Sequence, residues 1–214
     1  MARLQVHRMA TKGRRAIRQA SFAVMQSFGC ALAEGGVTCN PLVAFFLAEV
    51  PVNNTTDRIE KQVLLKASRE RVWRALSEAE QFGTWFGVRF DGPFVEGERL
   101  TGRIAPTQVD EEVAAMQTPY EGTPFEWLIE TIEPMQRIAF RWHPFGIDKT
   151  IDYSSEPMTL IVFELHDAPE GILLTVTESG FDKLPPERRA KAFAANEGGW
   201  GHQMELIRKY LALH

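Results

Sequence analysis

Cysteine is scarce in this sequence of 214 residues. There are two, Cys30 and Cys39, and both lie in the first quarter of the chain. Residues 57–214 therefore contain neither a disulfide nor a thiol nucleophile, which excludes disulfide scaffolds and cysteine-dependent enzymes for that part. This usage fits a reducing compartment, and we predict a cytoplasmic protein.

Positive charge is also scarce once the N-terminus is set aside. The first 20 residues hold six Lys or Arg and no acidic residue. Removing those six from the 24 basic residues of the chain leaves 18 against 28 acidic residues, a net charge of −10. Because nucleic acids are held by clusters of Lys and Arg, this acidic body argues against a nucleic-acid partner.

Long apolar runs and the common catalytic motifs are missing as well. The apolar stretches 20–33 and 42–50 are shorter than the roughly 20 residues that cross a bilayer, so no membrane span is predicted. The sequence has no glycine-rich phosphate loop after a strand, no G-x-S-x-G and no H-E-x-x-H. These absences argue against phosphate-loop enzymes, serine hydrolases of that type and zinc proteases.

A metal site is not predicted either. His202 and Glu205 are three residues apart on a predicted helix, a spacing that can hold a metal ion. However, His202 lies about 200° around that helix from Trp200, which puts it on the solvent side. No other cluster of His or Cys supports a site, and we predict neither a metal nor a cofactor.

The chain divides into an N-terminal extension, residues 1–56, and a domain, residues 57–214. The extension is basic at its start and then moderately apolar, and it ends in the linker-like Asn53-Asn54-Thr55-Thr56. Two interpretations stay open. The segment is either a poorly ordered extension, or the product of a start codon assigned too far upstream, or else it is a secretory or transit leader.

Residues 57–177 predict short helices followed by an antiparallel meander. A strand at 59–65 precedes a helix capped by Ser68 and running to Ser77, and a second short helix covers 78–85. Six further strands, separated by turn residues, are predicted at 88–90, 99–107, 126–132, 137–142, 159–165 and 172–177. The long connections 110–122 and 145–157 are interpreted as loops that cover or form a binding site.

The C-terminal segment predicts one long helix from Leu184-Pro185-Pro186-Glu187 to Leu211. Its apolar residues fall on one stripe at helical spacing, and Asn196 and Gln203 fall on the same stripe beside three glycines. The stripe consists of Phe193, Trp200, Met204, Ile207 and Leu211. The predicted fold class is thus α+β, with a curved antiparallel sheet of six or seven strands around this helix and a cavity between them.

Five short segments in this order resemble one known family. They are Val72-Trp73-Arg74-Ala75-Leu76, Trp85-Phe86, Thr177-Glu178-Ser179-Gly180-Phe181, Asn196-x-x-Gly199-Trp200 and Leu206-x-x-x-Tyr210-Leu211. Together they resemble the bacterial homologues of the activator of the heat-shock-protein-90 ATPase, which belong to the START-like, SRPBCC helix-grip superfamily. The resemblance spans about residues 57–212.

The resemblance implies a helix-grip domain with an internal hydrophobic pocket, a link to the stress response and, since START-like domains often pair, a homodimer. It does not imply one activity, because members include cochaperone-like, ligand-binding and cyclase-like proteins. Two departures matter. Residues 1–56 are too short to supply the chaperone-binding domain of the eukaryotic cochaperones, and segment 106–123 is longer than the usual connection, which changes access to the pocket.

Glu178 is the carboxylate of greatest interest. It shares strand parity with Leu174 and Val176, so it faces the helix if they do. One interpretation makes it a general base or a polar anchor for a ligand. The other makes it an end-of-strand carboxylate held by backbone N–H groups of the turn at 179–181.

The domain is rich in aromatic residues, and we predict that Trp73 and Phe163 are core whereas others line the pocket. His143 and Arg141, at a strand end, have two interpretations: contact with an anionic ligand at the pocket mouth, or an ordinary solvated strand end. The predicted ligand-binding residues are Trp85, Phe86, Trp127, Trp142, His143, Glu178, Phe181, Asn196, Trp200, Gln203 and Met204.

Three functions follow as hypotheses. The first is binding of a small hydrophobic or aromatic molecule between sheet and helix. The second is a cyclase- or hydratase-like enzyme that uses Glu178 as its acid or base, with His143 or Asn196 assisting. The third is a cochaperone-type interaction module with a chaperone partner, which the resemblance alone implies.

Overall fold

The computed structural model describes residues 31–33, 36–38, 57–148 and 150–213. The chain forms two compact units, residues 1–54 and 55–214. In the first unit, strand β1 (Ala31–Ala33) pairs with β2 (Gly36–Thr38) in an antiparallel hairpin. The predictions made for 1–56 lie otherwise outside the described residues.

The second unit contains one antiparallel sheet of seven strands in the order β3-β9-β8-β7-β6-β5-β4. Apart from the pairing of β3 with β9, each strand pairs with its neighbour in the chain, which is the predicted meander. The strands are β3 (Arg58–Leu65), β4 (Val88–Phe90), β5 (Arg99–Ile104), β6 (Pro124–Glu133), β7 (Arg137–Trp142), β8 (Thr159–Ala168) and β9 (Gly171–Ser179).

Four α-helices accompany the sheet in the described part of the chain. They are α1 (Arg69–Ser77), α2 (Ala79–Phe86), α3 (Glu111–Gln117) and α4 (Pro186–Leu213). Ser68 caps α1 as predicted, since its side chain accepts a hydrogen bond from the Arg71 N–H. Helix α4 begins at Pro186, where a missing N–H costs nothing.

Strand parity decides which side chains form the core. Leu174, Val176 and Glu178 of β9 lie opposite Leu165, Phe163 and Ile161 of β8, and all six are buried. These six side chains form part of the inward face of the sheet. Helix α4 covers this face and packs against β3 and the helices α1 and α2. The α+β fold with a long helix gripped by an antiparallel sheet is therefore confirmed.

Segment 110–122 was predicted to be a loop that covers or forms a binding site, and the loop part of that prediction was wrong. Instead of a loop, it holds helix α3 followed by a short 3-10 turn, Thr118–Tyr120. Asp110 caps α3 by accepting a hydrogen bond from the Val113 N–H at 3.0 Å, and two glutamates occupy the first turn. The described residues of the other long connection, 145–157, form neither a helix nor a strand.

No helix in the described part of the chain combines the length and the apolar character needed to cross a bilayer.

Candidate functional site

A cavity of about 550 Å³ lies at one end of the domain. Its walls come from the C-terminal end of α2, from α3 and the turn after it, from the segment that follows β7, and from the middle of α4. Among the described residues that line it, none is Asp, Glu, Lys or Arg. An apolar space with a few polar groups is the usual composition of a small-molecule site.

Helix α4 carries three glycines, and therefore no side chains at these positions, where it passes the cavity. A Cβ built on Gly198, Gly199 or Gly201 would meet no atom within 4 Å. Gly198 and Gly199 line the cavity, whereas Gly201 does not. Glycine inside a helix costs about 0.5–1 kcal/mol relative to alanine. Because no neighbouring atom excludes a side chain at these positions, the packing of the domain does not explain why they are glycine.

Two glutamines close the cavity next to the end of α2. The carbonyl oxygen of Phe86 has no partner within its own helix, and it accepts hydrogen bonds from Gln117 Nε2 at 3.0 Å and Gln203 Nε2 at 3.1 Å. Gln117 also accepts from the Thr107 N–H at 2.8 Å. The Oε1 atom of Gln203 is buried without a hydrogen-bond partner among the described residues.

Helix α3 is held against α4 by a charge pair. Lys209 of α4 donates a hydrogen bond to Asp110, the residue that caps α3. This bond from Lys209, followed by the one from the Val113 N–H, lowers the pKa of the Asp110 carboxyl below its ordinary value. The Asp110 carboxylate thus both caps α3 and ties it to α4, and α3 supplies Val113 and Met116 to the cavity wall.

Arg188 of α4 fastens the segment after β7. Its guanidinium donates to the Pro144 carbonyl at 2.9 Å and lies 4.6 Å from the ring centroid of Tyr153. Its Nε lies 2.7 Å from Oε2 of Glu156 in an ion pair whose geometry is not that of an aligned hydrogen bond. Both charged side chains are more than four-fifths buried, so this pair fixes the segment more firmly than an exposed pair would.

Phe145, in the segment after β7 that Arg188 contacts, lines the cavity. Phe145 has a φ of 51°, a left-handed conformation that is uncommon outside glycine, and Lys191 Nζ lies 5.3 Å from its ring centroid. His143, which also lines the cavity, has its Nε2 3.2 Å from the carbonyl oxygen of Glu156. This contact makes Nε2 the donor, because a carbonyl can only accept.

Glu178 is fully buried and faces inward, as its parity predicts. Its Oε1 accepts hydrogen bonds from Trp142 Nε1 at 2.7 Å, Thr159 Oγ1 at 2.6 Å and Asn196 Nδ2 at 3.0 Å. Its Oε2 accepts from Asn196 Nδ2 at 3.0 Å and Trp200 Nε1 at 2.6 Å. Five donor contacts to two oxygens satisfy the acceptor capacity of this carboxylate.

The strand register brings this cluster together. Trp142, the last residue of β7, pairs with Thr159 at the start of β8. Ile161, two residues further along β8 and on the same face of the sheet, pairs with Glu178 of β9. Helix α4 then places Asn196 and Trp200 one turn apart over the same spot. Three of the four donor groups, the two indole N–H groups and Asn196 Nδ2, can only donate, and hydrogen bonds of this kind favour the ionised carboxylate; the Thr159 hydroxyl is the one partner that could also accept.

Six of the predicted site residues come together on the cavity wall: Phe86, Trp142, His143, Asn196, Trp200 and Gln203. Glu178 lies one layer behind them. Four others are packed in the core instead, namely Trp85, Trp127, Phe181 and Met204. Trp85, for example, is fully buried and donates to the Ala75 carbonyl at 2.9 Å. The core positions predicted for Trp73 and Phe163 are confirmed.

Three interpretations are corrected by the contacts. The hydrogen bonds to the Glu178 carboxylate come from side chains, not from backbone N–H groups of the turn at 179–181. Arg141 alternates with the inward Trp142 and is paired with Glu130 at 2.7 Å, away from the cavity. His202 is exposed as predicted, yet it also lines the cavity.

Sequence reasoning expected the connections 110–122 and 145–157 to contribute to a binding site, but it did not identify the residues that do so. Val113, Met116 and Tyr120 form one side of the cavity, and Phe145 and Ile147 form another. The signal for α3 was present, because an Asp followed by two glutamates is a common helix start. Among the described residues, no group of three or more His, Cys, Asp or Glu is placed to hold a metal ion.

A second depression, of about 770 Å³, lies between α2 and the segment around β4. Its lining includes charged side chains, among them Glu78, Glu80, Arg89 and Asp91. It contains neither the paired indoles nor the amides of the first cavity. We therefore assign the candidate site to the smaller, more apolar cavity.

Comparison with known proteins agrees with the fold. The family model described as "Activator of Hsp90 ATPase homolog 1-like protein" matches residues 66–212. A Mesorhizobium loti protein is similar with a TM-score of 0.54 and 18% identity, over 73% of this chain and 97% of that one. An Arthrobacter aurescens protein gives a TM-score of 0.55 and 16% identity, over 74% and 88%.

A Bordetella parapertussis protein is similar with a TM-score of 0.51 and 21% identity, over 73% of this chain and 75% of that one. At such identities these likenesses speak for the fold and not for a shared activity. The search of curated proteins found no match.

Proposed function

The chain belongs to the family of Activator of Hsp90 ATPase homolog 1-like proteins, and we propose that its domain binds a small hydrophobic or aromatic molecule in the cavity beside α4. One observation carries this proposal: Gly198 and Gly199 of α4 line the cavity, and a Cβ built on either of them would meet no atom within 4 Å. Because these glycines lower the helix propensity of α4 and yet leave the space open, we take the space to be the room that a ligand occupies.

The size and chemistry of the cavity support the same conclusion. Its volume of about 550 Å³ lies within the roughly 300–1,000 Å³ that ligand pockets occupy. Phe86, Trp142 and Trp200 form a continuous aromatic patch on its wall, with ring centroids 5.9–6.3 Å apart. Such a patch favours a flat or apolar ligand, and Asn196 and Gln203 supply amide groups that orient it.

The hydrogen bonds of Glu178 favour binding over catalysis. A general base must reach the proton that it removes, within about 2.6–3.2 Å or through one water. Glu178 is fully buried, and five contacts already engage its two oxygens. Its geometry suits a group that orients the cavity wall better than one that exchanges protons with a substrate.

A chaperone partner stays a prediction that the family's description suggests. Its direct test is whether the purified chain stimulates the ATPase of a heat-shock-protein-90 chaperone.

The proposal is tested by filling the cavity. Gly199→Leu introduces a side chain at a lining position, whereas Gly201→Leu introduces the same side chain on the same helix outside the cavity. Both changes improve helix propensity by about 0.5–1 kcal/mol, so both variants should be as stable as the parent or more so. The uncharged dye N-phenyl-1-naphthylamine reports occupancy by its fluorescence.

We expect Gly199→Leu to weaken dye binding at least about tenfold, since the new side chain takes the ligand's place and each buried methylene is worth about 0.8 kcal/mol. Gly201→Leu should bind the dye as the parent does. Equal binding by all three proteins would show that the dye, if bound, does not use this cavity. No binding to the parent, by this dye or by a panel of apolar compounds in native mass spectrometry, would contradict the proposal.

A further inference from the structure

The charge of Glu178 has no ionic partner in the described part of the chain. None of the ion pairs that the structure forms there includes this carboxylate, although it is fully buried and its donors fit the ionised form. Its five hydrogen bonds come from uncharged groups, which stabilise the carboxylate without removing its net charge. A buried negative charge therefore lies next to the cavity.

Only one layer of side chains separates this charge from the cavity. Trp142, Asn196 and Trp200 each donate a hydrogen bond to Glu178 and also line the cavity. At an effective dielectric constant of about 20, opposite unit charges about 7 Å apart attract each other by an amount worth roughly 50-fold in affinity, which sets the order of magnitude for a cation on the cavity side of these residues.

The aromatic patch acts in the same direction. The faces of indole and phenyl rings carry partial negative charge and attract cations, especially when the site excludes water. Trp142 and Trp200 direct their N–H edges at the carboxylate and form the patch together with Phe86. Among the described lining residues none is Lys or Arg, and the basic side chains there are the imidazoles of His143 and His202.

One basic side chain does lie close to the rim. Lys191 Nζ is 5.3 Å from the ring centroid of Phe145, so an anionic headgroup at the mouth is the rival occupant. However, Lys191 is exposed and also lies near Asp148, whose pKa its charge helps to lower after the hydrogen bonds from Thr150. A solvated, partly neutralised ammonium attracts an anion less strongly than a buried carboxylate attracts a cation.

From this arrangement we infer that the ligand is a hydrophobic amine, bound in its protonated form with the nitrogen near the wall formed by Trp142, Asn196 and Trp200. The inference rests on the proposed function and adds the charge of the ligand to it. Glu178 is then the residue that sets charge selectivity from behind the wall, without touching the ligand.

Three probes that share a dodecyl chain and differ in headgroup test the inference. Dodecylamine, dodecanol and dodecanoate are compared at pH 7, each below its micelle concentration, by displacement of N-phenyl-1-naphthylamine from the full chain. We expect the order amine, alcohol, acid, with the amine at least about tenfold tighter than the acid. Equal or tighter binding of the acid would overturn the inference.

The outcomes separate the two claims. If the alcohol binds and the amine binds no better, the charge inference fails while the cavity remains a ligand site. If none of the three displaces the dye and the dye itself does not bind, the proposed function fails with it.

A variant pair assigns the selectivity to Glu178. Glu178→Gln removes the charge at nearly constant shape, and we expect it to reduce the preference for amine over acid to within about threefold. Thr159→Val removes one hydrogen bond to Glu178 and keeps the charge, so the preference should persist even if stability falls. Unchanged selectivity in a folded Glu178→Gln protein would overturn the role of this residue, and if that variant does not fold, the three probes on the parent decide the inference.

Discussion

The interior of the helix-grip domain has a filled end and an open end, and both are built from aromatic residues. At the filled end, the ring of Phe82 lies within 6.1 Å, centroid to centroid, of seven other aromatic rings, including those of Trp127, Phe140 and Phe163. At the open end, Trp142 and Trp200 border a cavity of about 550 Å³. Aromatic content alone therefore does not say which end holds a ligand.

The partners of the aromatic residues make the difference. Rings at the filled end pack against other rings, as Phe82 does against Trp127, Phe140 and Phe163. At the open end, Trp142 and Trp200 border the cavity together with Gly198 and Gly199, and their indole N–H groups donate to Glu178. The buried carboxylate behind these rings holds them in place although the cavity lies in front of them.

The largest expected effect comes from truncating the filled end. Phe82→Ala removes a fully buried ring from the centre of the aromatic cluster, and we expect the free energy of unfolding to fall by about 3–5 kcal/mol. Met116→Ala, at the cavity wall, should cost less than about 0.5 kcal/mol, because this side chain is already 48% exposed. Urea denaturation followed by circular dichroism measures both values.

Dye binding sharpens the same contrast. Met116→Ala should alter the affinity for N-phenyl-1-naphthylamine more than it alters stability, since Met116 borders the dye's space. A loss of less than about 1.5 kcal/mol for Phe82→Ala would mean that the filled end can collapse around a missing ring, and the distinction between the two ends would be lost.

An intermediate effect is expected at the outer wall of the open end. Asp110→Ala removes both the cap of α3 and its pairing with Lys209, whereas Asp110→Asn keeps a capping oxygen and loses only the charge. We expect the melting temperature to fall by about 2–4 °C for the alanine variant and by less for the asparagine variant. Differential scanning calorimetry measures both.

The same pair shows whether α3 matters to the cavity. Dye affinity should fall with Asp110→Ala and change less with Asp110→Asn, because only the first leaves the first turn of α3 without its cap. Equal dye binding by both variants and the parent would mean that α3 is dispensable for the open end.

Much of the fold could be predicted because it depends on local periodicity. The period of two in β9 placed Glu178 inward, and the 3.6-residue stripe of α4 put Asn196 and Trp200 on its covered face. Ser68 was recognisable as a cap because capping is a contact between residues three apart. Each of these predictions needs only neighbours in sequence or a single assumption about which face is buried.

The allocation of aromatic residues between core and cavity could not be predicted in the same way. Trp85 and Trp142 both lie near the end of an element, yet the indole N–H of Trp85 reaches the Ala75 carbonyl and that of Trp142 reaches Glu178. Those partners are set by helix packing and strand register, which a single sequence does not encode locally. The four side chains that donate to Glu178 likewise come from three separate elements, β7, β8 and α4.

A small effect is also expected on the sheet away from the cavity, and it tests whether stability there is independent of both ends. Arg141 forms two hydrogen bonds with Glu130, at 2.7 and 2.9 Å, and these lower the pKa of the Glu130 carboxyl, against the opposing effect of its partial burial. Both side chains are one-third exposed, so solvent screens the pair and Glu130→Gln should cost only about 0.5 kcal/mol at pH 7.

The sign of the pH dependence follows from the lowered pKa of Glu130. A carboxyl whose pKa is lower in the folded state stabilises the fold above its unfolded pKa of about 4.3 and loses that contribution as the pH falls through the folded value. The difference between the parent and Glu130→Gln in urea denaturation should thus be constant from pH 7 to about 5 and shrink below about 4.5. A difference that grows as the pH falls would contradict the assignment, since it would require a carboxyl whose pKa is raised by folding. Dye binding should not change at any pH at which both proteins are folded, because Arg141 and Glu130 lie away from the cavity.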